Sequence, residues 1–485
     1  MTRGNDRRSI LALCCVAQFM VVLDLTIVNV ALPAIQDELD MPQRTLQWIV
    51  IAYGLVLGGF LLLGGRMGDL LGRRRIFLVG LVLFAIASLF AGLAGSVEIL
   101  IGARAVQGFG AALLAPSALS ILAVTFPEGR ERNWALGIYG AVAGSSASVG
   151  VIASGVLTDG PGWRWIFFIN VPIGVLLVML AFLLLKDDRP SETGRHYDAA
   201  GAATVTSGLL LLVYAVNRGA EHGWTTPLTL VLFGAAIVML LGFGAIEARS
   251  RSPLIPGSVI RNRTMVAADI ASFLLFGSFF AFIFLGSLLL QQKLDYSPTR
   301  TGVAWLAASG MAFVASAIAG GRLVSSLGVR PILVTGMVLL MIGAAWMVRV
   351  PADAAYVTDV LPALLLAGIA IGLSAPAVSI GALAGVDDAT IGLASGLVET
   401  MREIGGVVGI AAVSTVLIAR GNDAALISDP VAREIVMFDA FRAAYVVVSI
   451  LAGIGGIVAL IVFPRWRPFR QQSTGTDLAR TQASN

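Results

Sequence analysis

Apolar residues run along this chain in fourteen long stretches, and within them they do not alternate with the period of two that a barrel strand needs. A bilayer span requires about 20 mostly apolar residues. Inside lipid every backbone polar group must be satisfied within the structure, so the stretches are predicted as helices. They fall at 10–33, 48–65, 76–95, 99–123, 134–157, 165–185, 199–217, 228–247, 265–290, 300–321, 332–350, 359–381, 390–418 and 441–463. The pattern therefore predicts an all-α polytopic membrane protein. No segment between the stretches is long enough for a soluble domain, and the longest, 186–198 and 419–440, read as loops.

Composition agrees. The chain is 57% hydrophobic and 13% charged, whereas a soluble domain carries about a quarter charged residues. The first stretch reads as a mature helix rather than a cleaved signal: it is too long, lacks an A-x-A site, and holds Asp24 and Asn29. Cys14 and Cys15, adjacent in that helix, are the only cysteines. They offer no disulfide framework and read as packing residues. Leu13 stands where lipid attachment would need a small residue. With the N-terminus inside, cytoplasmic segments hold about 22 of the 33 basic residues and outer segments about 9, as the positive-inside rule requires. Both termini are then expected in the cytoplasm. Topology accounts for the basic clusters, so no nucleic-acid partner is expected.

Two segments repeat. Gly65, Arg66, Gly72 and Arg74 follow the second stretch. They recur as Gly321, Arg322, Gly328 and Arg330 after the tenth, and Ala115-Pro116 recurs as Ala375-Pro376. The copies are separated by an even number of spans, which points to a duplication with the same in–out sense. Chance similarity between two basic turns is the competing explanation. The implied organisation is a tail (1–9), a six-helix bundle (10–185), a cytoplasmic linker with two inserted helices (186–264), a second six-helix bundle (265–463) and a cytoplasmic tail (464–485). Parallel repeats of this kind are a transporter architecture, with the substrate site between the halves near the midplane.

These residues resemble the major facilitator superfamily, and within it the fourteen-helix drug:proton antiporter branch. Gly65, Asp69, Gly72, Arg73 and Arg74 fit its G-x-x-x-D-x-x-G-R-[RK] signature. The first helix carries Leu23-Asp24-Leu25-Thr26 through Leu32-Pro33, and the fourth Arg104-Ala105-Val106-Gln107-Gly108, both similar to the branch. The string Trp163-Arg164-Trp165 through Pro172-Ile173-Gly174 is the most branch-specific. In the fifth helix Gly140, Gly144, Gly150 and Gly155 fit the antiporter motif, but Val151 replaces its proline and Ser154 one of its glycines. The resemblance implies a bacterial cell-membrane exporter of amphipathic small molecules such as drugs, dyes or antibiotics. The proton gradient would drive it with no other cofactor, and it would act as a monomer. The departures at Val151 and Ser154 keep open a carrier or facilitator of the same fold without antiport.

An ionisable group at a helix centre costs roughly 2.5–3.5 kcal/mol on insertion scales, so each is a functional candidate. Asp24 and Arg104 lie at similar depths, roughly 13 Å and 9 Å from the outer ends of their helices. They pair if those helices meet, as a proton or substrate site or as a static ion pair. The resemblance implies that both line the cavity of the first half. Glu399, Arg402 and Glu403 share one face of the thirteenth helix. Low dielectric disfavours ionising both carboxyls, so one is expected to hold a proton or attract a cationic substrate. The other reading is a packing cluster around Arg402. The Asp69/Arg73/Arg74 loop is implied to lock one conformer by docking on the other half. Asp269 reads as the N-terminal residue of its helix, and Trp48, Trp163, Trp165, Trp224 and Trp466 as interface anchors.

Other chemistry lacks its residues. No G-x-x-x-x-G-K-[ST] loop is present for nucleotide hydrolysis. His196 and His222, the only histidines, fall in loops on opposite sides of the predicted membrane, which leaves no metal cluster or Cys–His dyad. A membrane sensor would need a soluble output domain and an enzyme a nucleophile–base pair; the sequence displays neither.

Overall fold

The computed structural model of the protein describes residues 4–186, 198–250, 253–351, 353–425 and 429–463. Among them, fourteen helices are long and apolar enough to cross a membrane, and there is no β-strand. They are α1 (Gly4–Leu39), α2 (Trp48–Leu71), α3 (Arg73–Gly92), α4 (Val97–Thr125), α5 (Arg130–Asp159), α6 (Trp165–Leu184) and α7 (Ala199–His222). Then follow α8 (Pro227–Glu247), α9 (Arg263–Gln292), α10 (Pro298–Leu327), α11 (Val329–Met347), α12 (Tyr356–Ala382), α13 (Ile391–Ala425) and α14 (Pro430–Val462).

Helices α1 to α6 pack among themselves, chiefly α2 and α3 on α4, α1 on α5, and α6 on α3. Helices α9 to α14 do likewise, with α9 on α13 and α14, and α12 on α10 and α11. The two sets meet along two seams, α2 against α13 and α5 against α10. Helix α7 lies on α2 and α13, and α8 packs on α7. The apolar side chains that remain exposed on α6 and α8, such as Leu183 and Leu241, face where lipid would be.

The repeat has a structural counterpart. Gly72 ends α2 at φ 99° and Gly328 ends α10 at φ 84°. Both are in the left-handed region, where a Cβ is disfavoured. Pro116 and Pro376 both lie inside helices, α4 and α12. Helix starts follow ordinary capping chemistry. The Asp198 side chain accepts from the N–H of Gly201 at 2.7 Å, and Ser297 accepts from that of Arg300 at 3.2 Å, just before Pro298.

Several boundaries move. Helix α2 runs on to Leu71, so most of the expected loop after Gly65 is its last turns, and the chain breaks only at Gly72. The segment 419–440 is mostly helix: α13 continues to Ala425 and α14 starts at Pro430. Apolar length marks only the part of a helix within lipid, and nothing in those polar ends breaks a helix. Asp269 is not the first residue of its helix. The Asn262 side chain caps α9 by accepting from the N–H groups of Thr264 and Met265, both at 3.2 Å, which starts the helix earlier. Trp163 is buried, with its indole on Glu38, rather than anchored in an interface. His222 ends α7 rather than lying in a loop. His196, Trp466 and the tail from 464 lie outside the described residues.

Candidate functional site

The first half encloses a charged pair. Asp24, in the middle of α1, and Arg104, one third along α4, are both wholly buried. Arg104 Nη1 donates to Asp24 Oδ2. Asp24 Oδ1 also accepts from Gln107 Nε2 at 3.1 Å and from Asn170 Nδ2 at 2.9 Å. Arg104 Nε donates to the Ile49 carbonyl at 3.1 Å, and Gln107 donates to Ser88 Oγ at 2.6 Å. The guanidinium lies 4.3 Å from the Tyr53 ring centre and 5.9 Å from that of Phe167. A buried ion pair repays its desolvation only when its remaining lone pairs and protons are satisfied. Gln107 and Asn170 supply that for Asp24 and the Ile49 carbonyl for Arg104 Nε, whereas Arg104 Nη2 is buried without a hydrogen-bond partner among the described residues.

The second half carries the other cluster. On α13, Arg402 Nη2 lies 2.6 Å from Glu399 Oε2 and 3.1 Å from Glu403 Oε1. Arg402 Nε also donates to Glu403 at 3.2 Å. Glu399 is 4% exposed, and its guanidinium partner sits 5.7 Å from the Phe276 ring. Two carboxyls thus share one arginine, and with both ionised the cluster carries a net negative charge.

Two buried tyrosines lie beside the clusters. Tyr53, under Arg104, also lies within electrostatic reach of Arg402 and Glu403. Tyr139, on α5, donates to Gln18 at 2.7 Å and lies within reach of Glu399 and Arg402. A tyrosine well inside a predicted span was the available signal, since its hydroxyl must find a partner there.

At one end of the bundle the halves are latched. Asp69 Oδ1 accepts from the N–H of Gly392, and Oδ2 from that of Leu393, each at 2.8 Å. A carboxylate at a helix N-terminus satisfies orphan donors and meets the positive end of the dipole. Arg73 lies 3.6 Å from Asp69 and donates to the Asp388 carbonyl. Gly65 lets the two backbones touch, because a methyl there would overlap the Gly392 carbonyl. Asn133 bonds Ser325 at 3.0 Å, and Glu128 accepts from Gly385 at 3.2 Å, at the same end. Arg74 donates to the Phe182 carbonyl at 3.2 Å, within its own half.

The glycines of α5 divide. Gly140 faces Ser316 and Pro376, Gly144 faces Ala312 and Gly155 faces Thr299, all across the seam. Gly150 faces Thr26 of its own half instead. Val151 packs into the space left by Gly302 on α10, so the expected proline is replaced by a side chain that fills a hole in the facing helix. Ser154 is buried.

The opposite end has its own clamp. Glu38 accepts from Trp163 Nε1 at 2.6 Å and from Arg164, whose other nitrogen donates to the Ala94 carbonyl at 3.2 Å. The bonds from Arg164 and then Trp163 hold the Glu38 carboxyl below its ordinary range. Near that end a cleft of about 370 Å³ opens between α2 and α7, lined by residues including Trp48, Ile51, Tyr214 and Arg218. Among the described residues no group of three His, Cys, Asp or Glu side chains is set to hold a metal.

The chain matches the family model of the Major Facilitator Superfamily over residues 14–410 and 268–485. It is 39% identical over 416 residues to the puromycin resistance protein pur8 of Streptomyces alboniger, covering 85% of this chain and 82% of that one. It is 36% identical over 417 residues to the cephamycin export protein CmcT of Amycolatopsis lactamdurans, covering 86% of each. The human organic anion transporter MFSD10 shares the fold at a TM-score of 0.64 and 16% identity, over 92% of this chain and 99% of that one. The chain belongs to the Major Facilitator Superfamily and is a multi-pass membrane transporter rather than an enzyme.

Proposed function

We propose that the protein exports amphipathic small molecules across a bacterial cell membrane in exchange for protons, by alternating access. The observation that carries this reading is the shared arginine: Glu399 and Glu403 both lie on Arg402, on a helix of the second half that packs against α2 of the first. A proton arriving on one carboxyl leaves the other paired with Arg402, so the cluster takes up a proton without exposing an unpaired charge. Asp24 is held by three separate donors, which supports a fixed ionic anchor in the first half. The names of the relatives, which speak of puromycin resistance and cephamycin export, support outward transport of antibiotic-like molecules.

In this reading the latch end faces the cytoplasm, as do both termini, and the transporter works as a monomer. Substrate and proton compete for the Glu399–Arg402–Glu403 cluster. Protonation from outside weakens the hold of the cluster on a cationic or polar substrate. Opening the Asp69 latch then exposes the site inward, where the proton leaves and new substrate enters. The electrical part of the gradient supplies about 2.3 kcal/mol per charge per 100 mV. Val151, in place of the antiporter proline, supports a second reading: a carrier of the same fold that lacks proton exchange.

A resistance screen in a pump-deleted bacterial host tests the function. Expression should raise tolerance to puromycin or ethidium and lower ethidium accumulation, and both effects should vanish when a protonophore is added. Raised accumulation on expression would instead establish uptake.

A further inference from the structure

Asp269 takes no part in the clusters or the latch, yet it is a largely buried acid within the bundle. It stands seven residues into α9, 9% exposed, and its Oδ1 has no hydrogen-bond partner. No ion pair reaches it among the described residues. A lone ionised carboxylate is costly in such a setting and the neutral acid far less so.

The register of α9 on α13 shows where this acid stands. Ser272 Oγ donates to the Val398 carbonyl at 3.2 Å, a pair 126 residues apart. Phe276 lies under Arg402 at the same offset. The same offset sets Asp269 level with Ser395, which is wholly buried. Val398 adjoins Glu399, and Ser395 is one turn from Gly392, the residue that Asp69 caps. Asp269 thus stands on the α9–α13 seam between the shared-arginine cluster and the latch. Of the charged groups on helices packed against α9, Glu399, Arg402 and Glu403 of α13 are nearest in register. Arg322 of α10, Arg330 of α11, and Arg261 and Arg263 beside the start of α9 lie toward the latch end; α12 and α14 carry none at that level in their described segments.

We propose that Asp269 is a second proton-binding site, which exchanges its proton with Glu399 along the α9–α13 seam and releases it at the latch end. The inference rests on the antiport reading above. In the transfer the proton leaves the Glu399 carboxyl and binds the Asp269 carboxylate. Glu399 is left as an anion 2.6 Å from the Arg402 guanidinium, and Asp269 as the neutral acid that its partnerless site accommodates. Ser272, on the same face of α9, lies at a level between the two carboxyls.

Proteoliposomes holding the full chain, with ethidium as the probe, test this. Asp269→Asn keeps the shape and removes the titrating oxygen, so the variant should fold at least as well as wild type. Ethidium exchange with no pH gradient should stay within about twofold of wild type, while accumulation driven by an imposed pH gradient should fall about tenfold or more. Asp269→Glu should restore part of the driven transport. An Asn variant that accumulates ethidium as wild type does would overturn the inference, as would one that loses exchange and driven transport together. Wild-type protein that exchanges ethidium but ignores the gradient would sink the antiport reading itself.

Discussion

Asp69 and Gly392, separated by 323 residues, are joined by a carboxylate-to-amide hydrogen bond of 2.8 Å. The second oxygen of Asp69 takes the next amide, that of Leu393, at the same distance. A side chain of the first half therefore caps the first turn of a helix in the second. Such a joint is strong when the ends meet and is lost once they part.

Asp69→Asn keeps one good acceptor and loses the charge. Hydrogen bonds to charged groups contribute about 1.5–3 kcal/mol each, so the latched conformer should lose roughly a factor of ten in population. Ser325, which bonds Asn133 across the same end, is a reporter once changed to cysteine. Its alkylation should speed up about tenfold in the Asp69→Asn background. Native Cys14 and Cys15 are buried and leave the signal clean.

Gly65→Ala attacks the same joint by bulk. The added methyl meets the backbone of Gly392 and Gly396, which has no room to move aside. Overpacking of this kind costs about 1–3 kcal/mol, charged here to the latched conformer alone. The variant should express and melt like wild type yet show the same accelerated alkylation. Gly54→Ala, a position with nothing within 4 Å, is the control and should change nothing.

The fold was legible because lipid imposes one rule on every span, and fourteen apolar stretches obey it. The ends were less legible, because a helix does not stop where lipid stops: α2 passes Gly65, and α13 and α14 extend into polar sequence. Asp24 and Arg104 stood out as charges at similar depth, and Glu399, Arg402 and Glu403 as charges on one face. Gln107 and Asn170 carry no charge to mark them, and Tyr53 and Tyr139 are marked only by a hydroxyl set within a span. Asp269 was misplaced because Asn262, not the acid, is the cap. Arg74, which the motif places in the gating loop, donates to the Phe182 carbonyl of its own half.

The buried Asp24–Arg104 pair should contribute to stability. Asp24→Ala leaves Arg104 buried without its counter-ion, a loss of about 3–5 kcal/mol. Thermal unfolding of the detergent-solubilised protein should show a large drop for Asp24→Ala and a smaller one for Asp24→Asn, which keeps an acceptor for Arg104. Removing both charges, as Asp24→Ala with Arg104→Met, should recover much of the loss. Additive losses in the double variant would contradict the pairing.

Val151 and Gly302 form a knob and a hole on the α5–α10 seam. Gly302→Ala should overfill it, costing about 1–3 kcal/mol and slowing transport. Combining it with Val151→Ala returns the volume and should restore most of the rate. Equal transport in the two variants would show that the seam tolerates bulk there.

Glu38 should give the clamp at the opposite end an acid limb. Its carboxyl is held below its ordinary range by Arg164 and Trp163, so its contribution is present above the unfolded value, about 4.3. That contribution fades as pH falls through the folded value. The melting midpoint of wild type should drop more steeply on acidification than that of Glu38→Gln. Parallel curves would assign the clamp no role in acid stability.

Proton movement coupled to substrate tests the central claim most directly. Wild-type protein is reconstituted into vesicles that hold a pH gradient, and the internal pH is followed while ethidium is added. The gradient should dissipate faster on addition with wild type, and should not respond when both Glu399→Gln and Glu403→Gln are present. A double amide variant that dissipates the gradient as wild type does would contradict the assignment of proton exchange to the carboxyls that share Arg402.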